Sequence, residues 1–215
     1  MTTIQRSIKG KRLGLDADGN LVLNPDDGSN RQLTHASSAT VGAKNGSTVT
    51  VQEYGNGLLN KTVLTCTATP ISIADDAGVA QYGGVKVYDF PAGLICTLGA
   101  VVSGSLTGYA SLIDTFAGGV ALGTVTATTG ATLVSTEANI MKEVDVAAAT
   151  GEVATINAES VATVLTESAA SWIDGTTTAV DMYLNVVIDD DAAHGAGTAT
   201  FTGTITFFWM PLGDN

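Results

Sequence analysis

Thr198–Trp209, TATFTGTITFFW, is the stretch that decides the fold. Thr198, Thr200, Thr202, Thr204 and Thr206 alternate with Ala199, Phe201, Gly203, Ile205 and Phe207. A period of two places one set on each side of an extended strand, so one face is apolar and the other is a ladder of hydroxyls. That pattern belongs to a sheet with one side on a core and the other toward water. Ala179–Ile188 repeats it, with Val180, Met182, Leu184, Val186 and Ile188 set against Asp181, Tyr183, Asn185 and Val187.

Upstream, shorter strands follow in series. Ser47–Tyr54 puts Val49 and Val51 on one face. Thr62–Thr69 alternates, Pro70 interrupts it, and Ile71 and Ile73 continue toward a turn at Asp75-Asp76. Val85–Phe90 places Val85, Val87 and Asp89 on one side and Lys86, Tyr88 and Phe90 on the other. Leu94–Thr107 reads as a long strand with Gly99 and Gly104 as bulge points, and Val120–Thr126 follows a Gly118-Gly119 turn. Residues 135–170 lack a clean stripe of 3.6-residue period and read as strand and loop. Turn signals at short spacing without helical crossovers exclude a parallel βαβ architecture. The expectation is all-β: a two-sheet, jelly-roll-like β-sandwich over residues 47–215, rather than a closed barrel.

Residues 1–46 read differently. Leu13 and Leu15, then Leu21 and Leu23, frame a small hairpin about Asp16–Asn20, and NPDDGSN (24–30) is dense in turn formers. So long a stretch with one hairpin predicts an extended N-terminal arm that orders against a partner. Charge divides near the same place. Residues 1–61 hold seven Lys and Arg and five Asp and Glu (+7 −5 = +2), and residues 62–215 hold two and sixteen (+2 −16 = −14). A body so acidic does not suit a nucleic-acid partner, because phosphate binding needs Lys and Arg to displace counterions. Arg6, Lys9, Lys11 and Arg12, with Arg31, are the candidate contacts of the arm to a protein partner or a neighbouring subunit, and an acidic protein surface is the expected partner.

Catalytic and metal signatures are sparse. His35 and His194 are the two histidines, and neither stands near a nucleophile; no P-loop, HExxH, CxxC or GxSxG string occurs. No cofactor and no catalytic residue is expected. Asp16, Asp18 and Asn20, with Asp27 twelfth in the run, resemble part of an EF-hand loop. Leu21 stands where the sharp turn requires Gly, so a hairpin turn explains them. Asp189, Asp190 and Asp191 close a strand and read as a solvated turn, with Ca²⁺ and a glycosidase-type acid as the competing uses; successive strand residues point to opposite faces, which tells against the acid. Cys66 and Cys96 read as buried thiols, with a disulfide open if their strands are neighbours. MTTIQRSIKGKR lacks an apolar core, so no Sec-type export is expected, and no apolar run is long enough for a membrane helix.

Four strings carry a resemblance: TVLTCTATPISIADDAGVAQYGGVKVYDFPAG (62–93), TEANIM (136–141), GTTTAVDMYLNVVIDDDA (175–192) and GTITFFWMPLGDN (203–215). With them, Thr62–Asn215 resembles a family of tailed-bacteriophage virion proteins, the capsid decoration or cement proteins. The resemblance implies a non-enzymatic structural protein made in the bacterial host cytoplasm. It would be placed on the capsid surface of the virion, with the major capsid protein as partner, in a homo-oligomer such as a trimer. The competing reading is a receptor- or carbohydrate-binding β-sandwich of a tail or head fibre, for which Trp172 is the candidate exposed aromatic.

Overall fold

The computed structural model describes residues 46–55, 59–75, 80–108, 118–130, 132–146, 172–188 and 196–212 with their side chains. It describes by backbone alone the strand residues 6–8, 11–15, 21–24, 31–32, 43–44, 76, 116–117, 147–149, 153–161, 189 and 213. Among the described residues there are fifteen strands, β1 (Arg6–Ile8), β2 (Lys11–Leu15), β3 (Leu21–Asn24), β4 (Arg31–Gln32), β5 (Ala43–Lys44), β6 (Val49–Gly55), β7 (Asn60–Asp76), β8 (Ala80–Asp89), β9 (Leu94–Thr107), β10 (Phe116–Gly123), β11 (Met141–Ala149), β12 (Val153–Val161), β13 (Trp172–Asp174), β14 (Asp181–Asp189) and β15 (Gly197–Gly213). The one helical element among the described residues is a 3₁₀ turn at Ser135–Glu137, so no helix there is long and apolar enough to cross a membrane.

β1 to β4 form a separate antiparallel sheet in chain order. The expected hairpin is its β2–β3 pair, with Leu15 opposite Leu21 and Leu13 opposite Leu23, and β1 and β4 flank it. All the other strands belong to one curled antiparallel sheet, whose central path runs β11-β10-β14-β8-β7-β15-β9-β12. The two ends of that path, β11 and β12, lie side by side. The eight strands can therefore be followed round the curl in two groups. β7-β15-β9-β12, with β6 and β13 at its margins, is sheet I. β8-β14-β10-β11, with β5, is sheet II. Numbered along the chain, sheet I is first, eighth, third and sixth, and sheet II is second, seventh, fourth and fifth. That interleaving of two Greek keys is the jelly roll, so the expected all-β fold is the one found.

The core lies between the two sheets. Leu64, Ile71, Val102, Phe201, Ile205 and Phe207 of sheet I meet Val120, Leu122, Met182, Leu184, Val186 and Ile188 of sheet II in one cluster. Tyr88, Phe90 and Phe207 pack edge to face, with ring centroids 5.2–5.7 Å apart. Such pairs prefer this T-shaped geometry because a positive ring edge meets a negative face.

Several local expectations need correction. Pro70 does not interrupt the strand. β7 runs through it, with Pro70 opposite Thr200 of β15. Its missing N–H costs little there, because the other edge of β7 pairs with β6 only up to Cys66 and with β8 only from Ile73. Gly118-Gly119 is not a turn but the middle of β10, paired on both sides. Gly118 has φ +149°, and a Cβ there would lie 2.0 Å from the Val187 carbonyl oxygen, so glycine is what lets β14 come close. The alternation read in Val85–Phe90 fails at Val87, where the β8–β14 register slips: Tyr183 faces Lys86 and Met182 faces Tyr88. The bulge switches faces, so Val87, Tyr88 and Phe90 are all buried. Gly99 does border a bulge, since Phe208 pairs with Gly99 and Trp209 with Thr97, whereas Gly104 pairs regularly with Gly203.

The polar side of Ala179–Ile188 is not solvated either. Residues 124–140 cross the outer face of sheet II, where Ala127, Leu133 and Ala138 pack on Ala80, Ala121 and Val187. Asn185, fully buried, ties this segment down. Its Nδ2 donates to the Val125 and Glu137 carbonyls, 2.8 Å each, and its Oδ1 accepts the Ala127 N–H at 3.0 Å. The wider region 135–170 includes strands β11 and β12, and its stretch 162–171 lies outside the described residues.

Two outcomes follow for stability in urea denaturation. Phe207→Ala empties the centre of the aromatic cluster and should cost about 3–5 kcal/mol, against less than about 0.5 kcal/mol for Val134→Ala on the exposed surface. Asn185→Ala removes three hydrogen bonds and leaves buried backbone groups unpaired, and should cost about 3 kcal/mol.

Candidate functional site: an uncharged sheet face

The outer face of sheet I is laid out by register. Thr50, Thr65, Thr204 and Ser103 form one row across β6, β7, β15 and β9. Gln52, Val63, Thr206 and Val101 form the next on this face, then Tyr54, Lys61, Phe208 and Gly99. Beyond the Gly99 bulge, Met210 and Trp172 flank Cys96. The hydroxyl ladder read from Thr198–Thr206 is on this outer side, while Ala199, Phe201, Ile205, Phe207 and Trp209 are buried.

At one end the face turns apolar. Leu59, Val101, Phe208, Leu212 and Trp172 are exposed there, Phe208 by 38% and Trp172 by 49%. Single exposed apolar side chains are ordinary on a protein surface, and what sets these five apart is that register brings them to the same end of the sheet. Its one described cation, Lys61, sits 4.4 Å from the centroid of the Tyr54 ring, a cation–π contact.

Carboxylates are scarce on the β6, β7, β15 and β9 rows of this face, although register sets Glu159 of β12 opposite Val101 at its edge. From Asn60 to Ala74 in β7, along all of β9 and along all of β15 there is no Asp or Glu. Asp174 stands at the margin, at the end of β13. The acids gather on sheet II and its covering segment. Lys86 Nζ is held by Asp89 (2.5 Å) and Asp181 (2.9 Å). Glu137 accepts from Thr128 N–H and Oγ1–H, both 2.8 Å, and Glu143 accepts the Leu133 N–H at 2.9 Å. These carboxylates fix the covering segment rather than face a cleft.

Glu53 is the exception, because it points from β6 into the molecule. Tyr88 Oη–H donates to its Oε1 at 2.5 Å, and Thr62 Oγ1–H does so at 3.5 Å. Thr62 in turn accepts the Trp209 indole N–H at 2.9 Å. Oε2 is buried with no hydrogen-bond partner. Burial pushes the Glu53 carboxyl above its ordinary value, while the bonds from Tyr88 and Thr62 pull less strongly the other way. A carboxyl ringed by Tyr, Thr and Trp has no nucleophile or second acid beside it among the described contacts, and it ties β6 to β7, β8 and β15.

The residues singled out in the sequence fall as follows. Arg6 is on β1, Lys11 and Arg12 on β2, and Arg31 on β4, while Lys9 lies outside the described residues. Register places Arg6, Leu13, Leu23 and Arg31 in one row of the small sheet, with Arg12 in the adjacent row between Ser7 and Asn24 and Lys11 opposite Ile8. Asp189 is the last residue of β14. Asp190, Asp191, His35, His194, Asp16, Asp18, Asn20 and Asp27 lie outside the described residues. Among the described residues no group of three His, Cys, Asp or Glu is placed to hold a metal ion. Cys66 and Cys96 are free and buried, as read. Burial pushes the Cys66 thiol up to about 11 and raises Cys96 as well, which keeps both as unreactive thiols near neutral pH. Trp172 is exposed and Trp209 buried, as expected. Sequence reading missed Glu53, because one Glu on an alternating strand carries no mark of which way it points. It also missed the acid-poor face, whose signal, no Asp or Glu in β9, in β15 or from Asn60 to Ala74 of β7, was present in an acidic chain.

No family model, no curated protein and no solved structure matches this chain.

Glu53 supplies a pH test. A carboxyl whose folded value is raised contributes its full stability below the ordinary value of 4.5 and loses it as pH climbs through the raised value. Glu53→Gln, which cannot ionise, should therefore have a thermal midpoint that gains on the wild type between pH 4 and pH 7.5. A difference that stays constant over that range would mean the buried carboxyl does not titrate as described.

Proposed function

We propose that this chain is a non-enzymatic structural protein of a tailed-phage virion, a decoration or cement protein that binds the outside of the capsid as a homo-oligomer. The observation that carries the proposal is a jelly-roll body with an acid-poor sheet face, whose β7, β15 and β9 rows hold hydroxyl and apolar side chains, a surface suited to lying against protein. The unequal charge supports it. Residues 1–61 are net positive and residues 62–215 net −14 (+2 −16). The arm over 1–46 then reaches an acidic neighbour through Arg6, Lys9, Lys11, Arg12 and Arg31, while the acidic body stays off nucleic acid. The resemblance of Thr62–Asn215 to phage virion proteins points the same way. Repeated copies on a shell convert modest single contacts into firm attachment, and ordering an arm on the shell costs entropy that those contacts must offset.

Trp172 favours a second use, a receptor- or glycan-binding module, because an exposed aromatic at a sheet margin offers a flat face for a sugar ring. A glycan array distinguishes the two: saturable binding lost in Trp172→Ala supports that module and counts against decoration.

The main test is co-sedimentation of the purified chain with phage heads that lack it. Full-length protein should pellet with the heads, more weakly as NaCl is raised, since exposed charge contacts are screened within about 8–10 Å at moderate salt. A chain with residues 2–46 deleted should bind at least about ten-fold more weakly, a loss of roughly 1.4 kcal/mol or more. Undiminished binding of the truncated chain removes the arm from the model, and failure of the full chain to bind heads removes the decoration role.

A further inference from the structure

We propose that the outer face of sheet I, from β6 across β7 and β15 to β9, is a self-association surface that seats the same face of a second copy of this chain. This deepens the homo-oligomer part of the function proposed above, as a two-fold contact, and it stands or falls separately from capsid binding.

Charge is the first argument. The chain carries −12 overall, so two copies repel unless they meet where carboxylates are missing. β7 from Asn60 to Ala74, β9 and β15 contain none, whereas the outer side of sheet II presents Asp89 and Asp181 around a single Lys86. The chain can meet itself across the central strip of β7, β15 and β9 without placing carboxylate against carboxylate, since Glu159 of β12 and Asp75 of β7 stand at the edges of that strip.

The second argument is self-complementarity. A two-fold interface must pair a surface with itself. A row of ammonium or carboxylate groups cannot do so. A hydroxyl can, because it both donates and accepts. Thr50, Thr65, Thr204 and Ser103 in one row, with Thr206 in the next, form such a surface. Phe208 and Val101, both exposed, supply apolar area beside it. The described cation of the face, Lys61, is already against Tyr54.

Size is the third. Three strands of about thirteen residues and the seven of β6, spaced about 4.8 Å apart and rising about 3.3 Å per residue, give roughly 730 Å², near the area of about 800 Å² that each partner contributes to a standard protein–protein interface. Two twisted sheets can pack face to face in this way.

The test is sedimentation velocity with light scattering on the full chain across a concentration series. The wild type should have the mass of two chains at about 100 µM, well above the dissociation constant of a standard-sized interface. Phe208→Glu and, separately, Thr204→Glu should shift it toward monomer, with a dissociation constant at least ten-fold higher. Both positions are solvent-exposed, so circular dichroism and the thermal midpoint of each monomer should match a folded chain, and either variant suffices if the other misfolds. Val134→Glu, on the covering segment of sheet II, should leave the dimer intact. A monomeric wild type overturns the proposal. So do variants that remain dimeric, or a trimer, which a single two-fold contact cannot build. Head binding measured on the same samples separates the two proposals. A dimer that ignores heads leaves this contact standing without the decoration role. A wild-type monomer whose head binding is lost in Phe208→Glu assigns the face to the shell and overturns the self-contact.

Discussion

The packing of β15 against sheet II carries the rest of the structure. Phe201, Ile205, Phe207 and Trp209 enter from one side of the core and Met182, Leu184, Val186 and Ile188 from the other, all nearly inaccessible to water. Fully burying one such side chain contributes on the order of 1.5–3 kcal/mol, and β15 places several in a row. Because β15 sits between β7 and β9 in the ladder, the same strand joins early and middle parts of the chain in sheet I. β15 follows both β7 and β9 in sequence, so their arrangement is completed only when β15 inserts between them. Long-range pairing of this kind is slow to form because loop closure precedes its reward.

Two register slips adapt the sheet to that core. In β7 the register shifts around Ala68, whose φ is +47° and whose N–H is taken by Thr202 Oγ1. In β8 it shifts at Val87, and beyond that point Tyr88 and Phe90 join Phe207. Without the second bulge a strict two-residue alternation would send Tyr88 outward, away from Glu53, and the Trp209–Thr62–Glu53–Tyr88 chain of hydrogen bonds would not close. The buried carboxyl and the aromatic cluster are two consequences of the same slip.

The two outer faces have been used differently. On sheet II the residues opposite the core, Ala121, Asn185 and Val187, are covered by residues 124–140, and Gly84 leaves room for the Asn185 amide where a Cβ would lie 2.2 Å from its oxygen. Acidic side chains there serve as hydrogen-bond acceptors for the covering backbone. Among the described residues no segment covers the β7, β15 and β9 rows of sheet I, which hold hydroxyls and exposed apolar groups instead. Among the described residues, one outer face is thus closed by the chain itself and the other carries exposed hydroxyl and apolar side chains.

Much of this was legible in the residues. The alternation in Thr198–Trp209 and Ala179–Ile188 determined strand identity, the buried face and the all-β class, because a side-chain period of two and apolar burial are local rules. The hairpin at Leu13–Leu23 and the buried thiols were legible for the same reason. Tertiary structure alone decided which strands neighbour which, that Pro70 lies within a strand, that Gly118 is a point of close approach instead of a turn, and that Asn185 is a buried clasp though its pattern reads as solvated. Each of those depends on what packs against the residue from a distant part of the chain, and a periodic pattern along one strand carries no record of its partner. The acid-poor face sits between the two cases. The composition of three strands determined it, but only the interleaved order that sets β15 between β7 and β9 made those strands one surface.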